Sequence, residues 1–270
     1  MKSKLVGIVG ISLVLFFGLW GFWYEPGHGH HIKTYSIDVE PWIGRSYRVA
    51  VLADLHVGSP YNGLAKLEEI VSATNESQPD LILIAGDFVI HGVVGGTYVA
   101  PQEMVPQLSR LRAKDGVFAV LGNHDHWLDA GEVTRALEEA GIPVLTNRAV
   151  FMGQYWLVGI DDEMAGSPDI IGAFQKVTGD EPVLLFTHNP DIFPMVPDKV
   201  SLTIAGHTHG GQVYLPIIGR PIVPSKFGER FAIGHIKEGD KQMFVNPGTG
   251  TSIIPVRFLV PPEISIVEIH

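Results

Sequence analysis

"TIAGHTHGGQ", residues 203–212, places two histidines among glycines at the end of a short apolar run. The run favours a buried strand, so His207 and His209 stand where that strand ends. In extended backbone, residues i and i+2 point to the same side, and we therefore expect both imidazoles to face one site. The neighbouring glycines allow the backbone to turn sharply beside them. This stretch predicts a metal site at the edge of a sheet.

Four further apolar runs end in residues of the same kind. They are "VLADLHVG" with Asp54 and His56, "LIAGDFV" with Asp87, "VLGNHDHW" with Asn123, His124 and Asp125, and "LLFTHNPD" with His188. A single such residue is usually a turn residue or a satisfied core polar group, but turn chemistry does not favour histidine. Because α/β proteins bind ligands outside the carboxyl ends of their strands, these five runs predict one shared site.

Strand and helix patterns alternate along the first half of the chain. Helical spacing predicts helices over 64–76, 100–113, 129–141 and 169–177. Apolar runs predict strands over 47–56, 79–87, 116–125, 155–161, 182–188, 200–207, 242–248 and 263–269. Early β-α repeats followed by a strand-rich second half predict an α/β fold, a two-sheet sandwich flanked by helices.

The amino-acid composition limits which metal sites and which partners are possible. The 270 residues include 19 basic and 29 acidic ones, for a net charge of −10, and no run of Lys or Arg marks a nucleic-acid surface. The absence of cysteine excludes disulfides, thiolate zinc sites and a cysteine nucleophile. A metal site must therefore use His, Asp, Glu or Asn, which favours Mn²⁺, Fe²⁺ or Zn²⁺.

The N-terminus predicts a membrane anchor. Residues 5–24 carry no charge and, as a helix, span about 30 Å, the thickness of the hydrocarbon core. Lys2 and Lys4 precede this run, so the rule that positive charge stays inside places the N-terminus in the cytoplasm. Its far end carries the aromatic side chains expected at a membrane interface, Trp20, Trp23 and Tyr24.

The sequence thus predicts three parts. Residues 1–24 form a transmembrane helix, 25–46 a linker and lead-in segment, and 47–270 the folded domain. We expect a single-pass protein of the cell membrane with its domain on the extracytoplasmic side. A cleaved signal peptide is the alternative, but the apolar run is long for one and no small-x-small cleavage site follows it.

The motifs DLH, GD, GNHD, TH and GHTHGG occur in that order, and in this the sequence resembles the calcineurin-like metallophosphoesterase superfamily over residues 47–270. The anchor, "HNPD" at 188–191 and "GHTHGGQ" at 206–212 resemble the branch of membrane-associated phosphodiesterases. Relatives in that branch include UDP-2,3-diacylglucosamine pyrophosphatases of lipid A synthesis. The resemblance implies the two-sheet metallophosphoesterase fold and a pair of metal ions.

The resemblance also implies which residues hold the metals. The first ion would be held by Asp54, His56, Asp87 and His209. The second would be held by Asp87, Asn123, His188 and His207, with Asp87 bridging. Two divalent ions, Mn, Fe or Zn, would clamp a phosphoryl group and share a hydroxide nucleophile. Purple acid phosphatases of this superfamily carry a tyrosine where this chain has Ile90, so a tyrosinate-bound ferric ion is not expected.

The remaining roles concern catalysis and substrate. His124 would face the leaving group and protonate it, with Asp54 or Asp125 orienting its ring, and we count Asp125 with His124 as catalytic. Asn123, His124 and Arg230 are the predicted substrate contacts, although Arg230 alternatively makes a surface ion pair. Trp127 either walls the cleft or packs in the core.

These observations predict a membrane-anchored, dinuclear metal-dependent phosphoesterase acting on phosphodiester or pyrophosphate bonds. Its partners are the membrane and a phosphate ester, for which anchoring favours a lipid- or envelope-linked substrate; no nucleic acid is expected. A UDP-2,3-diacylglucosamine pyrophosphatase is one alternative. A non-catalytic scaffold of the same fold is another, which the presence of His124 and of the full ligand set disfavours.

Overall fold

Two β-sheets packed face to face form the centre of the computed structural model, which describes residues 10–12, 15–28 and 30–270. The strands are β1 (His31–Ile37), β2 (Tyr47–Leu52), β3 (Leu81–Ala85), β4 (Val117–Val120), β5 (Arg148–Phe151), β6 (Trp156–Gly159), β7 (Val183–Phe186), β8 (Leu202–Ala205), β9 (Gly234–Glu238), β10 (Lys241–Val245) and β11 (Glu263–Ile269). The first sheet has the order β1-β11-β2-β3-β4 and the second β5-β6-β7-β8-β10-β9.

Parallel pairing aligns the strand ends that build the site. Strands β2, β3 and β4 pair in parallel in the first sheet. Strands β6, β7, β8 and β10 do so in the second, while β5 and β9 pair antiparallel at its two edges. The carboxyl ends of the central strands of each sheet therefore lie along one edge.

Helices cover the outer faces of the sandwich. They are α1 (Leu64–Glu76), α2 (Pro101–Leu108), α3 (Asn123–Glu139) and α4 (Ile170–Phe174). Helices α1, α2 and α3 pack on the first sheet and α4 packs on the second. The predicted two-sheet α/β sandwich flanked by helices is confirmed.

Side-chain alternation explains the layers. Along β2, Val49 and Val51 face the second sheet, whereas Ala50 and Leu52 face the helices. All four are fully buried, because both faces of the sheet are covered. A strand buried on both faces has no polar face, and this is why β2 and β3 read as continuous apolar runs in the sequence.

Several predicted boundaries change. Residues 25–46, expected to be a linker, contain β1, which pairs with β11 at the sheet edge and is exposed along most of its length. Helix α2 ends at Leu108 rather than 113. Helix α3 begins at Asn123 and is interrupted at Asp129, whose φ of −167° is not helical, so the predicted start at 129 marks only its second part.

The N-terminal helix comprises residues 15–19, the π-helical turn Trp20–Tyr24 and the short turn Glu25–Gly27. It lies against the domain: the Arg257 N–H donates to the Gly21 carbonyl over 2.9 Å. Within the described residues, no helix is long and apolar enough to cross a bilayer. Residues 1–9 and 13–14 of the predicted anchor lie outside the described residues, so the anchor stays a prediction.

Candidate metal centre

Seven side chains from both sheets meet at the aligned strand ends. They follow β2, β3, β4, β7 and β8, and each is at most 5% exposed. They are Asp54, His56, Asp87, Asn123, His188, His207 and His209, the full set named from the sequence as ligands. Parallel pairing within each sheet and the packing of the two sheets together bring Asp54 and His209, 155 positions apart in the chain, to within 3.3 Å.

Asp87 lies between two groups of side chains. Its Oδ2 is 3.4 Å from His56 Nε2 and 3.3 Å from His188 Nε2. Its other oxygen, Oδ1, accepts a hydrogen bond of 2.9 Å from the backbone N–H of His124, in the first turn of α3. The helix N-terminus thus fixes this carboxylate so that one oxygen faces both groups.

Each group places donor atoms around a common point. In the first, His209 Nε2 is 3.1 Å from His56 Nε2 and 3.3 Å from Asp54 Oδ1. In the second, His188 Nε2 is 3.1 Å from Asn123 Oδ1 and 3.1 Å from His207 Nδ1. The two histidines of "GHTHGG" therefore belong to different groups.

The donor atoms fit a bound cation. His56 Nδ1 lies 3.1 Å from the Val89 carbonyl and His188 Nδ1 lies 2.7 Å from the Ala85 carbonyl. In a neutral ring, donation of Nδ1–H to these carbonyls leaves a lone pair on Nε2, the atom that faces the group. The imidazole lone pairs thus face the same point as the carboxylate and amide oxygens. One of these oxygens, Asp54 Oδ1, is buried without a hydrogen-bond partner. Imidazole, carboxylate and amide donors suit divalent Mn, Fe or Zn.

The backbone at these residues is strained. Five of the seven have φ in the left-handed region, which side chains other than glycine rarely adopt. They are Asp54 (48°), His56 (40°), Asp87 (58°), His207 (70°) and His209 (51°). The expectation that residues i and i+2 share one face of an extended strand was therefore wrong. Strand β2 ends at Leu52 and β8 at Ala205, and turns beyond those ends bring the side chains together.

Burial sets the protonation of the histidines. It lowers the pKa of His56 to about 3 and that of His207 to about 3, so both rings are neutral near pH 7. Burial also opposes the charged form of His188, but the adjacent Asp87 carboxylate outweighs it and raises the pKa of His188 well above its ordinary value. A cation entering the second group takes the place of that proton.

His124 lies beside the centre. One of its ring nitrogens is within 4.8 Å of ligand atoms on His56 and Asp87. Its Nδ1 accepts a hydrogen bond of 3.1 Å from the backbone N–H of His91. A neutral ring in this arrangement carries its proton on Nε2. The group that orients His124 is therefore the His91 N–H, a contact that the sequence did not indicate.

Asp125 has a different position from the predicted one. Its carboxylate accepts hydrogen bonds from four backbone N–H groups, those of Gly122, Asp87, Phe88 and Val89. Asp54, the other predicted partner of His124, accepts instead from the His207 N–H over 2.9 Å. Asp125 thus fixes the turn that carries Asp87, and this corrects its expected pairing with His124.

A cavity of about 660 Å³ opens over the two groups. His124, Asn123 and Asp87 line its floor, and Trp127, 49% exposed with its ring 5.0 Å from that of His124, forms part of a wall. The other walls are mostly apolar: Met164, Val213, Pro221, Ile222, Pro224, Ile253, Ile254 and Val256. Trp127 is therefore a cleft residue rather than a core residue.

Arg230 does not belong to this cavity. Its guanidinium pairs with Glu238 and lies over the rings of Phe227 and Phe231. Among the described residues that line the cavity, Arg230 is absent. The predicted substrate contact is corrected to the surface ion pair that was its alternative.

A loop after β10 braces the first group. The Gly250 N–H donates to the Asp54 carbonyl over 2.8 Å. Arg257, fully buried, donates to the carbonyls of Pro247, Gly248 and Gly250 and so holds the loop in place. The sequence patterns did not predict that this loop holds Asp54 in place. The closely spaced glycines of "NPGTG" were the feature that could have indicated it.

Comparisons with known proteins agree with this geometry. The calcineurin-like phosphoesterase profile matches residues 47–211. The metallophosphoesterase YkuE of Bacillus subtilis is 33% identical over 227 residues, which cover 82% of this chain and 78% of that protein. Phosphodiesterase YaeI of Escherichia coli is 30% identical over 265 residues, 92% of this chain and 93% of that protein. A transmembrane protein with a metallophosphoesterase domain from Danio rerio is 31% identical over 81% of this chain and 52% of its own length.

Proposed function

The chain belongs to the calcineurin-like phosphoesterase family, and from that premise we propose that it hydrolyses phosphodiester or pyrophosphate bonds with two divalent metal ions. The observation that carries the proposal is Asp87 Oδ2, which lies 3.4 and 3.3 Å from one imidazole of each group. Asp54, His56, Asp87 and His209 would hold one ion. Asp87, Asn123, His188 and His207 would hold the other.

The charge of the site suits an anionic ester. When bound, two divalent ions polarise the phosphoryl oxygens and lower the pKa of coordinated water toward neutrality. They bring four positive charges, of which Asp54 and Asp87 neutralise two. The remaining ligands are neutral histidines and Asn123, so the site keeps a positive charge for the phosphate.

His124 is the proposed hydrogen-bond donor to the leaving oxygen, which corrects the expected proton transfer: that transfer needs the imidazolium form, and the His91 N–H at Nδ1 opposes it. His124 lines the cavity, and the His91 N–H bound at Nδ1 leaves the proton on Nε2 of the neutral ring. A preorganised hydrogen-bond donor to an oxygen on which charge develops contributes a factor of roughly 10²–10³ in kcat. Asn123, adjacent in the first turn of α3, lines the same floor and is the second proposed substrate contact.

Hydrolysis of bis-p-nitrophenyl phosphate by the full chain with added Mn²⁺ tests the proposal. We expect activity that needs metal, up to two bound ions per chain, and a loss of roughly 10²–10³-fold in kcat for His124→Asn. His235→Asn, an exposed histidine on β9, is the matched control and should keep full activity. If wild type and His124→Asn were equally inert with Mn²⁺, Fe²⁺ and Zn²⁺ across several esters, the scaffold alternative would replace the enzyme.

The apolar cavity walls favour a second candidate, a UDP-2,3-diacylglucosamine pyrophosphatase. Acyl chains of such a substrate would lie against Ile222, Ile253 and Ile254. An extracytoplasmic domain fits poorly with a nucleotide-linked lipid made in the cytoplasm, so this candidate requires the reverse orientation. Mass spectrometry after incubation with that lipid decides, because the absence of the monophosphate product rejects it.

We also propose that residues 5–24 anchor the chain in the cell membrane with the domain on the extracytoplasmic side. The support is the uncharged run and the lysines that precede it. Protease added to intact cells should digest the domain, and a domain protected until the cells are opened would contradict this orientation.

A further inference from the structure

Five isoleucines on the two segments that border the metal cavity, 212–222 and 251–256, are exposed to solvent. They form what we term the isoleucine rim: Ile217, Ile218, Ile222, Ile253 and Ile254. Ile217 is 104% exposed and Ile253 68%. Ile222, Ile253 and Ile254 also line the cavity, so the rim borders the entrance to the candidate active site. Clustered exposed aliphatic side chains of this size mark an interaction surface.

Two of the five rim residues occupy backbone positions that disfavour isoleucine. Ile217 has a φ of 78° and Ile253 a φ of 62°, both in the left-handed region. A β-branched side chain is strained there, and glycine or asparagine is the usual occupant. Neither side chain is buried, so core packing does not account for its presence. The strain and the exposure together indicate a role outside the folding of the domain.

The rim is continuous with the N-terminal helix. The loop 212–219, which carries Ile217 and Ile218, pairs with the segment around Phe258: the Tyr214 N–H donates to the Phe258 carbonyl over 2.8 Å. That segment contacts the helix: the ring of Phe17 is 5.6 Å from that of Phe258, and the Gly21 carbonyl accepts from Arg257. The exposed helix residues here are apolar or aromatic, among them Leu15, Phe16, Leu19, Phe22 and Trp23.

Two segments that carry rim residues, 212–219 and 251–256, contact each other. The Ser252 N–H donates to Gln212 Oε1 over 2.7 Å. Residues 212–219, "QVYLPIIG", and 251–256, "TSIIPV", contain no Asp, Glu, Lys or Arg. Arg220, which lies between Ile218 and Ile222, donates to the Gly210 carbonyl over 2.7 Å. A protein interface commonly surrounds its apolar centre with polar residues, whereas a bilayer accepts an uncharged aliphatic surface flanked by aromatic rings.

We infer that the isoleucine rim enters the phospholipid bilayer beside the N-terminal helix, so that the metal cavity opens at the membrane surface. The occupant is a lipid bilayer because the rim continues an uncharged apolar segment already predicted to enter one. The inference concerns the surface alone and does not rest on the proposed hydrolysis. It places the phosphate of any substrate at the lipid–water boundary.

Fluorescence at single cysteines tests the inference, since the chain has none of its own. Full-length Ile218→Cys and Ile253→Cys would carry an environment-sensitive dye and be reconstituted in phosphatidylcholine vesicles. Ile171→Cys is the matched control, because Ile171 is 83% exposed on α4, away from the rim. We expect blue-shifted emission and quenching by acyl-chain nitroxides at 218 and 253 only. Emission at 218 equal to that at 171 would overturn the inference.

A second copy of the chain is the competing occupant. A second copy would give blue-shifted emission without quenching by lipid nitroxides. The protein would also be a dimer in detergent, and the double variant Ile217→Ser/Ile218→Ser would dissociate that dimer. This result would also overturn the inference. Ile217 and Ile218 do not line the cavity, so this double variant should hydrolyse soluble ester at the wild-type rate. We expect it to hydrolyse a vesicle-embedded phosphodiester at least fivefold more slowly. Equal rates on embedded ester would count against the inference, whereas inert wild type would reject only the proposed function.

Discussion

Gly250→Ala tests whether the loop after β10 positions the first group of ligands. A Cβ at residue 250 would lie 2.7 Å from His56 Cβ, 2.7 Å from the Leu55 carbonyl oxygen and 2.9 Å from the Asp54 carbonyl oxygen. None of these atoms can move aside by rotation of a side chain. The added methyl group must therefore push the backbone of residues 54–56 away from the loop.

The displacement can be worked out from the contact distance. Carbon atoms pack at about 3.5 Å or more, so the methyl group and His56 Cβ must separate by roughly 0.8 Å. Metal–ligand distances tolerate only about 0.2 Å. His56 and Asp54 therefore leave the positions at which they face His209. We expect affinity for the first ion to fall at least tenfold and stability to fall by about 1–3 kcal/mol.

The assay is a Mn²⁺ titration by calorimetry, with thermal unfolding of the metal-free protein measured beside it. Gly63→Ala is the matched control, because a Cβ at residue 63 would meet nothing within 4 Å and its φ of −87° suits alanine. Gly250→Ala protein that binds both ions within twofold of wild type would refute the bracing role of the loop.

Three further predictions concern the rest of the molecule. Arg257→Met should lower the free energy of unfolding by about 3–5 kcal/mol, measured in urea, because it leaves several buried carbonyls without donors. The hydrogen bond of 2.8 Å to Asp161 raises the pKa of His126 above its ordinary value of about 6.5. The pair therefore contributes its full stabilisation of the fold below pH 6.5, and that stabilisation is lost as the pH rises through the pKa of His126 in the folded protein. The stability difference between wild type and His126→Asn should accordingly shrink from pH 6 to pH 9. Chelation should lower the melting temperature and Mn²⁺ should restore it, since a ligand at 100 times its Kd adds about 2.7 kcal/mol; an unchanged melting temperature would argue against a metal site.

The buried strands could be predicted because both faces of each sheet are covered. Strands such as β3, "LILIA", consist of apolar residues alone, which is typical of a strand covered on both faces. Strand β1 was missed for the opposite reason. It is an exposed edge strand, and only its last residue, Ile37, is buried, so its sequence carries no apolar run.

The side chains of the candidate site could be named from the sequence, but their geometry could not. The left-handed φ at Asp54 and His207 is a minor conformation even for Asp and His, which adopt it more often than most residues. A contact between segments far apart in the chain, the His207 N–H on Asp54 Oδ2, accompanies it here and leaves no trace in the local sequence. The partner of His124 is a backbone N–H, which any residue at position 91 would supply. Backbone donors leave no signature in one sequence, and this is why carboxylates were expected in that role.

Glu25, in the last turn of the N-terminal helix, has a practical consequence. Its carboxylate accepts from the N–H groups of Leu259 and Val260, next to Arg257, which holds the loop at Gly250. Removal of the apolar N-terminal residues to improve expression would remove this carboxylate as well if the cut were made beyond residue 25. A recombinant fragment that begins at residue 30 would then give a weaker affinity for metal, and the deficit would be mistaken for a property of the native enzyme.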